Sequence, residues 1–363
     1  MNVVVVGGGL IGVAIAARLG TGDTDVTLCE RSSLGSETTE ASAGMFLRGT
    51  SSPTRFDQRL LDRAWSTYEH LLDDESITST QLGSLFVAES DDYAATLEEA
   101  ATTLQAYGVD ATFVDASELH RFGVETDGFT GGLSTASDTA FEPQELVDAF
   151  AERARERGVE LRTGTDVTDV VLEDGSVAGV ETEAGRLEAD VVVNAAGPWA
   201  PALNDLVGVS LPLAHTLGPM LALEGRSTAD LPFTIFESRR YLRPVDEVTA
   251  YFGAFTTDYV EGQRYEPTAL RIPEAMRTAS SAIDELVPGF TNASIVDEWA
   301  GLRTVTPDGR PIVGETDVPG FLVACGPTGL GITLAPAIAD VVAGLLEGTS
   351  DRETRVRLSP DRF

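Results

Sequence analysis

The chain has 363 residues, 42% of them hydrophobic, which is enough for a substantial core and for more than one domain of ordinary size. Its 25 basic residues, all of them arginine, face 58 acidic ones, and the net charge of −33 excludes nucleic acid and anionic membranes as partners. No apolar run approaches the roughly 18 residues that span a bilayer, so a soluble, cytoplasmic protein without a transmembrane segment is expected, peripheral membrane attachment being left open.

Aspartate and glutamate are spread along the whole chain, which places the excess charge on the folded surface and reads as adaptation to high salt. At about 1 M salt the Debye length is about 3 Å, and the mutual repulsion of such carboxylates is screened. The melting temperature is therefore expected to fall when salt is lowered from molar to millimolar. An unchanged value would remove the halophilic reading.

Taken in chain order, Asn2 to Val6 read as a buried parallel strand opening into a glycine-rich turn, Leu10 to Leu19 as a helix, and Asp25 to Glu30 as a second strand. Between strand and helix, Gly7-Gly8-Gly9-Leu10-Ile11-Gly12 fits G-x-G-x-x-G. Gly7 permits the tight turn, Gly9 lets a pyrophosphate approach bare backbone, Gly12 lets the helix pack on the strand, and the helix N-terminus faces the phosphates. Glu30, at the end of the second strand, is placed to accept hydrogen bonds from a ribose; on so acidic a chain a solvated carboxylate is the alternative. Together these features predict dinucleotide binding without separating NAD from FAD.

A helix is expected from about Thr54 to Leu72, where Leu60, Leu61, Ala64, Trp65, Tyr68, Leu71 and Leu72 recur at helical spacing. Gln81 to Val87 read as a strand, Tyr93 to Tyr107 as a helix and Ala111 to Val114 as a strand. Pro143 opens a helix that Gly158 closes. Then follow strands at Val159 to Arg162, Val167 to Leu172 and Val177 to Thr182, with Asp174-Gly175 as a turn, and a buried parallel strand within Asp190 to Ala196, ending in Gly197. From Leu211 to Trp299 the pattern alternates in β fashion around a helix at Arg271 to Leu286. A final strand, Phe321 to Ala324, leads through a glycine-rich loop into a helix from Thr333 to Leu346.

This order implies a nucleotide-binding domain made of residues 1–78, 140–210 and 300–363, and a β-rich substrate domain made of 79–139 and 211–299. Cys29 and Cys325 end apolar strands, as buried free thiols do. His70, His120 and His215 are scattered singly, so no metal site is expected.

Several segments in this order resemble the D-amino acid oxidase and dehydrogenase superfamily that includes glycine oxidase and sarcosine oxidase. They are Val3 to Gly12, Glu30-Arg31, Ala41-Ser42-Ala43-Gly44-Met45, Val191 to Trp199, Gly301-Leu302-Arg303, Pro307 to Gly314, and Gly326 to Pro336. The resemblance implies an α/β protein: a Rossmann-like FAD-binding domain (GR2-type) with an interleaved antiparallel β-sheet substrate domain. It further implies that Thr38, Thr39, Ala43, Gly44 and Met45 line the flavin, that Val167 contacts the adenine through its backbone, and that Gly197 lies beside the cofactor. Trp199 is expected to pack rather than to touch substrate.

In the loop Gly326 to Gly331, which holds Thr328 and Gly329, the helix entry would point free amides of Leu330, Gly331, Ile332 and Thr333 at the pyrimidine side of the flavin. The positive end of a helix dipole there stabilises the negative charge of the reduced ring. The chain departs from its relatives in carrying Gly326-Pro327 where Gly-His is frequent, and Gly218-Pro219-Met220 where Gly-Gln is common.

The activity implied is oxidation of the C–N bond of a small amino acid, with Arg303 gripping the substrate carboxylate, Tyr241 as its partner, and Arg48 and Arg240 as alternatives. Sarcosine or glycine, a cyclic imino acid, and a flavin subunit of a larger complex are alternatives, and a homo-oligomer is compatible with all of them. Sarcosine oxidases often hold flavin through a cysteine in the stretch matching Gly301 to Thr306, where this chain has none, so noncovalent FAD is expected. Some relatives use a lysine to activate oxygen. The absence of lysine points to a dehydrogenase passing electrons to a quinone or another carrier.

Overall fold

The computed structural model describes all residues except 23, 75, 76, 226, 230, 256, 257, 282, 291 and 292. The alternation of the first strand, Asn2–Val6, sets the architecture. Val3 and Val5 enter a core shared with the helices Leu10–Leu19, Arg55–Asp73, Pro143–Glu156 and Gly331–Leu346, whereas Val4 and Val6 face the opposite way, into a core shared with Val170, Val177 and Val180. Both faces of the sheet are thus covered, which is why its central strands are apolar without interruption.

That sheet has six strands in the order Ile312–Glu315, Phe321–Cys325, Val191–Asn194, Asn2–Val6, Asp25–Cys29, Glu160–Arg162. All pairings are parallel except that of Ile312–Glu315 at one edge. A three-stranded antiparallel sheet, Val167–Glu173, Ser176–Thr182 and Gly185–Glu188, covers the second face. Its first hairpin turns at Asp174 and Gly175, both at positive φ (50° and 81°), as a tight two-residue turn requires.

The second large sheet has eight strands in the order Ser294–Val305, Ala214–Glu224, Thr249–Ala254, Arg240–Pro244, Phe233–Phe236, Ser84–Ala88, Gly131–Thr135, Ala111–Asp115. Its pairings are antiparallel except one: Phe233–Phe236 runs parallel to Ser84–Ala88, where two distant stretches of chain meet.

Several expected elements shift. The strand expected over Gln81 to Val87 is divided, because Gly83 takes φ +64° and turns the chain between Ser79–Gln81, paired with Thr139–Phe141, and Ser84–Ala88. The helix expected over Arg271 to Leu286 shortens to Glu274–Ser280 and a 3-10 turn at Ile283–Glu285, with Ala282 outside the described residues. Pro273 disfavours helical backbone in the residue before it, so the helix cannot begin earlier. The helix Arg55–Asp73 begins one residue after Thr54, whose hydroxyl accepts from the Asp57 amide at 3.1 Å. Among the described residues no helix is long and apolar enough to cross a membrane.

Candidate active site

The carboxyl ends of the parallel strands open into a cavity of about 1410 Å³ that reaches across to the eight-stranded sheet. A pocket for a single drug-sized ligand measures about 300–1,000 Å³, so there is room here for a dinucleotide and a second small molecule.

At the nucleotide end, Gly7, Gly9 and Ile11 line the cavity, and Gly12 lies behind them. Gly7 has φ +108°, and a Cβ on Gly12 would sit 1.9 Å from the Gly7 carbonyl oxygen. Glu30 also lines the cavity but is only 9% exposed, so it is not a solvated surface carboxylate. Its Oε2 accepts from the Gly8 amide at 2.7 Å and its Oε1 from the Ser32 amide at 2.8 Å, which ties the glycine loop to the end of the second strand. Thr39 Oγ1 accepts from the Leu10 amide at 3.1 Å. Arg31 pairs with Glu37 at 2.8 Å and lies 3.9 Å from the centroid of the Trp199 ring, and Trp199 itself lines the cavity. Val167, Thr38 and Gly197 complete this wall.

Ala43 and Met45 line the middle of the cavity. Gly44 lies behind them, at φ +70°, where a Cβ would meet the Phe141 carbonyl oxygen at 2.2 Å. Opposite, Thr328, Gly329, Leu330, Gly331 and Ile332 form the helix entry. Thr328 holds a left-handed φ of +49°, costly for a side chain with a branched Cβ, and its amide donates to the Thr304 carbonyl at 3.1 Å, next to Arg303. The Leu330 amide is not free, as had been expected: it donates to Pro327 O at 2.8 Å because the loop closes a turn there. The first-turn amides of Gly331 to Thr333 have no carbonyl one turn back to bind. Thr333 sits behind the wall and stitches the two sides together, donating to Met45 O at 3.2 Å and accepting from the Leu47 amide at 3.3 Å.

The two thiols are free and buried, as expected, each 1% exposed, and both border this cavity. Burial pushes the Cys29 thiol up to about 11 and that of Cys325 up to about 12.

Arg303 and Tyr241 come together at the far end. Met220, Gly253 and Tyr241 are direct neighbours across three adjacent strands. A Cβ on Gly253 would lie 2.0 Å from the Tyr241 ring, so only glycine lets the ring cross the middle strand and donate to Met220 Sδ at 3.4 Å. Gly218 leaves space for the Arg303 guanidinium in the same way, since a Cβ there would be 2.7 Å from its Nη1. Burial raises the Tyr241 pKa, opposed by the charge of Arg303 and a hydrogen bond from it. Phe233 and Phe255 flank the phenol with ring centroids at 5.5 and 6.1 Å.

Among the described residues, five arginines line the cavity. Arg31, Arg48, Arg239 and Arg310 pair with Glu37, Asp62, Asp258 and Asp57. Arg303 has no such carboxylate among the described residues; its Nη1 donates to the Leu217 carbonyl at 3.3 Å, and its guanidinium stands beside the Tyr241 phenol. Arg240 is not part of the wall; its Nε donates to Ser238 Oγ at 3.2 Å.

Asp138 escaped the sequence reading. Fully buried, it accepts from the Arg48 amide at 2.6 Å, from Ser84 Oγ at 2.5 Å and from Thr135 Oγ1 at 2.6 Å, and so fixes the loop at the cavity edge. Burial raises its pKa against these hydrogen bonds. His215 is a satisfied core residue: its Nδ1 accepts from the Tyr265 amide at 3.2 Å and its Nε2 donates to Pro198 O at 2.9 Å, while burial lowers its pKa.

A doubly covered parallel sheet, with a glycine loop, a buried acid and a second helix entry converging on one large cavity, defines a dinucleotide-dependent oxidoreductase. The family model DAO, described as FAD dependent oxidoreductase, matches residues 2–345, and the chain belongs to this family: it is an FAD-dependent enzyme. It is 30% identical over 238 residues to a D-amino acid dehydrogenase of Cereibacter sphaeroides, a match covering 65% of this chain and 53% of that protein, and so spans about half the length of that relative. It is 29% identical over 361 residues to a glycine oxidase of Pseudomonas putida, covering 96% and 94% of the two chains. The fold superposes on a crystal structure of L-proline dehydrogenase from P. horikoshii with a TM-score of 0.90, at 24% identity, over 100% of this chain and 97% of the other.

Proposed function

We propose that this protein is a D-amino acid dehydrogenase that takes substrates with a small apolar side chain. The observation that carries the reading is Arg303, the cavity arginine left without a carboxylate on a chain rich in them. A substrate carboxylate supplies the missing partner, gripped through two parallel N–H···O bonds. Tyr241, kept protonated by its burial, has a hydroxyl to offer the same group. Phe233, Phe255, Ile235 and Met220 surround the pair and give a side chain an apolar, water-poor wall.

Bound FAD supplies the acceptor for the hydride that leaves Cα. The chain's own work is to hold Cα at a fixed place and to exclude water, which converts a bimolecular encounter into an oriented one. The helix entry at Gly331 to Thr333 offers amide dipoles to the negative charge that reduction places on the ring. Oxidation of the amino acid gives an imino acid, which hydrolyses to a 2-oxo acid and ammonia.

An anaerobic screen tests this. Apolar D-amino acids are expected to bleach the flavin absorbance of the purified protein, and bleaching only by glycine, sarcosine or L-configured substrates would overturn the assignment. Admitting air is expected to restore the colour more slowly than turnover with an artificial acceptor. Reoxidation in air that keeps pace with turnover would make the protein an oxidase.

The absence of a cysteine in Gly301 to Thr306, together with burial that keeps Cys29 and Cys325 protonated, supports noncovalent binding of FAD. Acid precipitation is expected to leave the yellow colour in the supernatant; colour retained in the pellet would contradict this.

A further inference from the structure

The helix Gly331–Leu346 contains Pro336. Proline has no N–H, and the hydrogen bond it cannot make is the one to the carbonyl four residues back, that of Ile332. Ile332 lies in the first turn, on the cavity wall and 6% exposed, where water cannot readily replace the missing donor. An orphaned buried carbonyl is destabilising.

The donor comes from another helix. Tyr68 of Arg55–Asp73 is 0% exposed, and its hydroxyl donates to Ile332 O at 2.5 Å. Its ring is stacked on Phe141 at 5.1 Å and meets Phe46 edge-on at 5.8 Å, so the hydroxyl is held in one place. Burial raises its pKa and keeps the proton on the oxygen.

We propose that Tyr68 is a positioning residue for the redox site: by capping the carbonyl that Pro336 orphans, it holds the first helical turn and cancels a partial negative charge there. This rests on the reading that the same turn faces the reduced flavin. Without the hydroxyl, the partial negative charge on the Ile332 carbonyl oxygen is left without a donor beside the first helical turn, and the reduced ring is bound less favourably than the oxidised one.

Dithionite titration of the FAD-loaded protein with a reference dye reads this without any amino acid substrate. Tyr68→Phe is expected to lower the midpoint potential by about 30 mV, the equivalent of a tenfold loss in relative affinity for the reduced form. Adding Pro336→Ala restores an amide to the Ile332 carbonyl, and the double variant is expected to return to the wild-type potential. A packing role alone would lower the melting temperature and leave the potential where it was, so an unchanged potential in Tyr68→Phe overturns the proposal. So does a lowered potential that Pro336→Ala fails to restore. Should the single variant not fold, the double variant carries the test: folded protein with wild-type potential supports the proposal, and a misfolded or shifted one overturns it. Failure of the wild-type protein to be bleached by amino acids would count against the substrate assignment and leave this measurement intact.

Discussion

Replacing Arg303 by leucine is expected to lower kcat/KM for amino acids about a hundredfold while leaving FAD bound and the fold intact. A charge-assisted bidentate contact made in the transition state is worth on the order of 3 kcal/mol, which is that factor. Leucine keeps the apolar stem but offers nothing to the substrate carboxylate. It also removes the hydrogen bond to Tyr241, so the phenol loses its neighbour along with the anchor. Anaerobic single-turnover bleaching gives the loss directly, and the flavin spectrum of the resting variant reports whether the cofactor is retained. Full efficiency in Arg303→Leu would take Arg303 out of the site. Arg303→Lys is expected to recover only part of the rate, because an ammonium keeps the charge and loses the planar fork.

Gly12→Ala is expected to yield colourless protein. The added Cβ would stand 1.9 Å from the Gly7 carbonyl oxygen, and that atom belongs to the loop that must receive the pyrophosphate. Neither side can yield cheaply: Gly7 is pressed against the Ala195 carbonyl, at 2.5 Å from where its own Cβ would be, and the helix is packed in the core. Forcing the methyl in costs about 1–3 kcal/mol, and displacement of the phosphate-binding amides adds to that, so FAD affinity is expected to fall on the order of a hundredfold. Gly22→Ala is the matched control, since its nearest neighbour would be 3.9 Å from the new Cβ. Equal flavin content in the two purified variants would show that Gly12 is not required for close packing.

Much of the nucleotide half was legible because its signals are local. An uninterrupted apolar run, a glycine spacing and an acid at the end of the next strand each depend on residues a few positions apart, and Asn2–Val6, Leu10–Leu19 and Asp25–Cys29 form where that reading put them. The hairpin at Asp174-Gly175 was readable for the same reason. Short strands such as Gly131–Thr135, Thr139–Phe141 and Gly185–Glu188 went unseen, because glycine and polar residues hide the alternation. Leu330 was misjudged because the turn that consumes its amide is closed by Pro327, within a loop whose path no periodicity describes.

Residue order along the chain therefore determined the two-sided burial of the parallel sheet, the glycine cradle, and the presence of an arginine and a tyrosine in recognisable contexts. Strand register decided what those residues became. Tyr241 reaches Met220 only because Gly253 stands between them on the middle strand, and these three positions are distant in sequence. Asp138 meets Arg48 and Ser84, and Tyr68 meets Ile332, by the same kind of convergence. Hydrogen bonds and close packing act over a few ångströms of space, and residues far apart in the chain come within that range only when the sheets and helices pack.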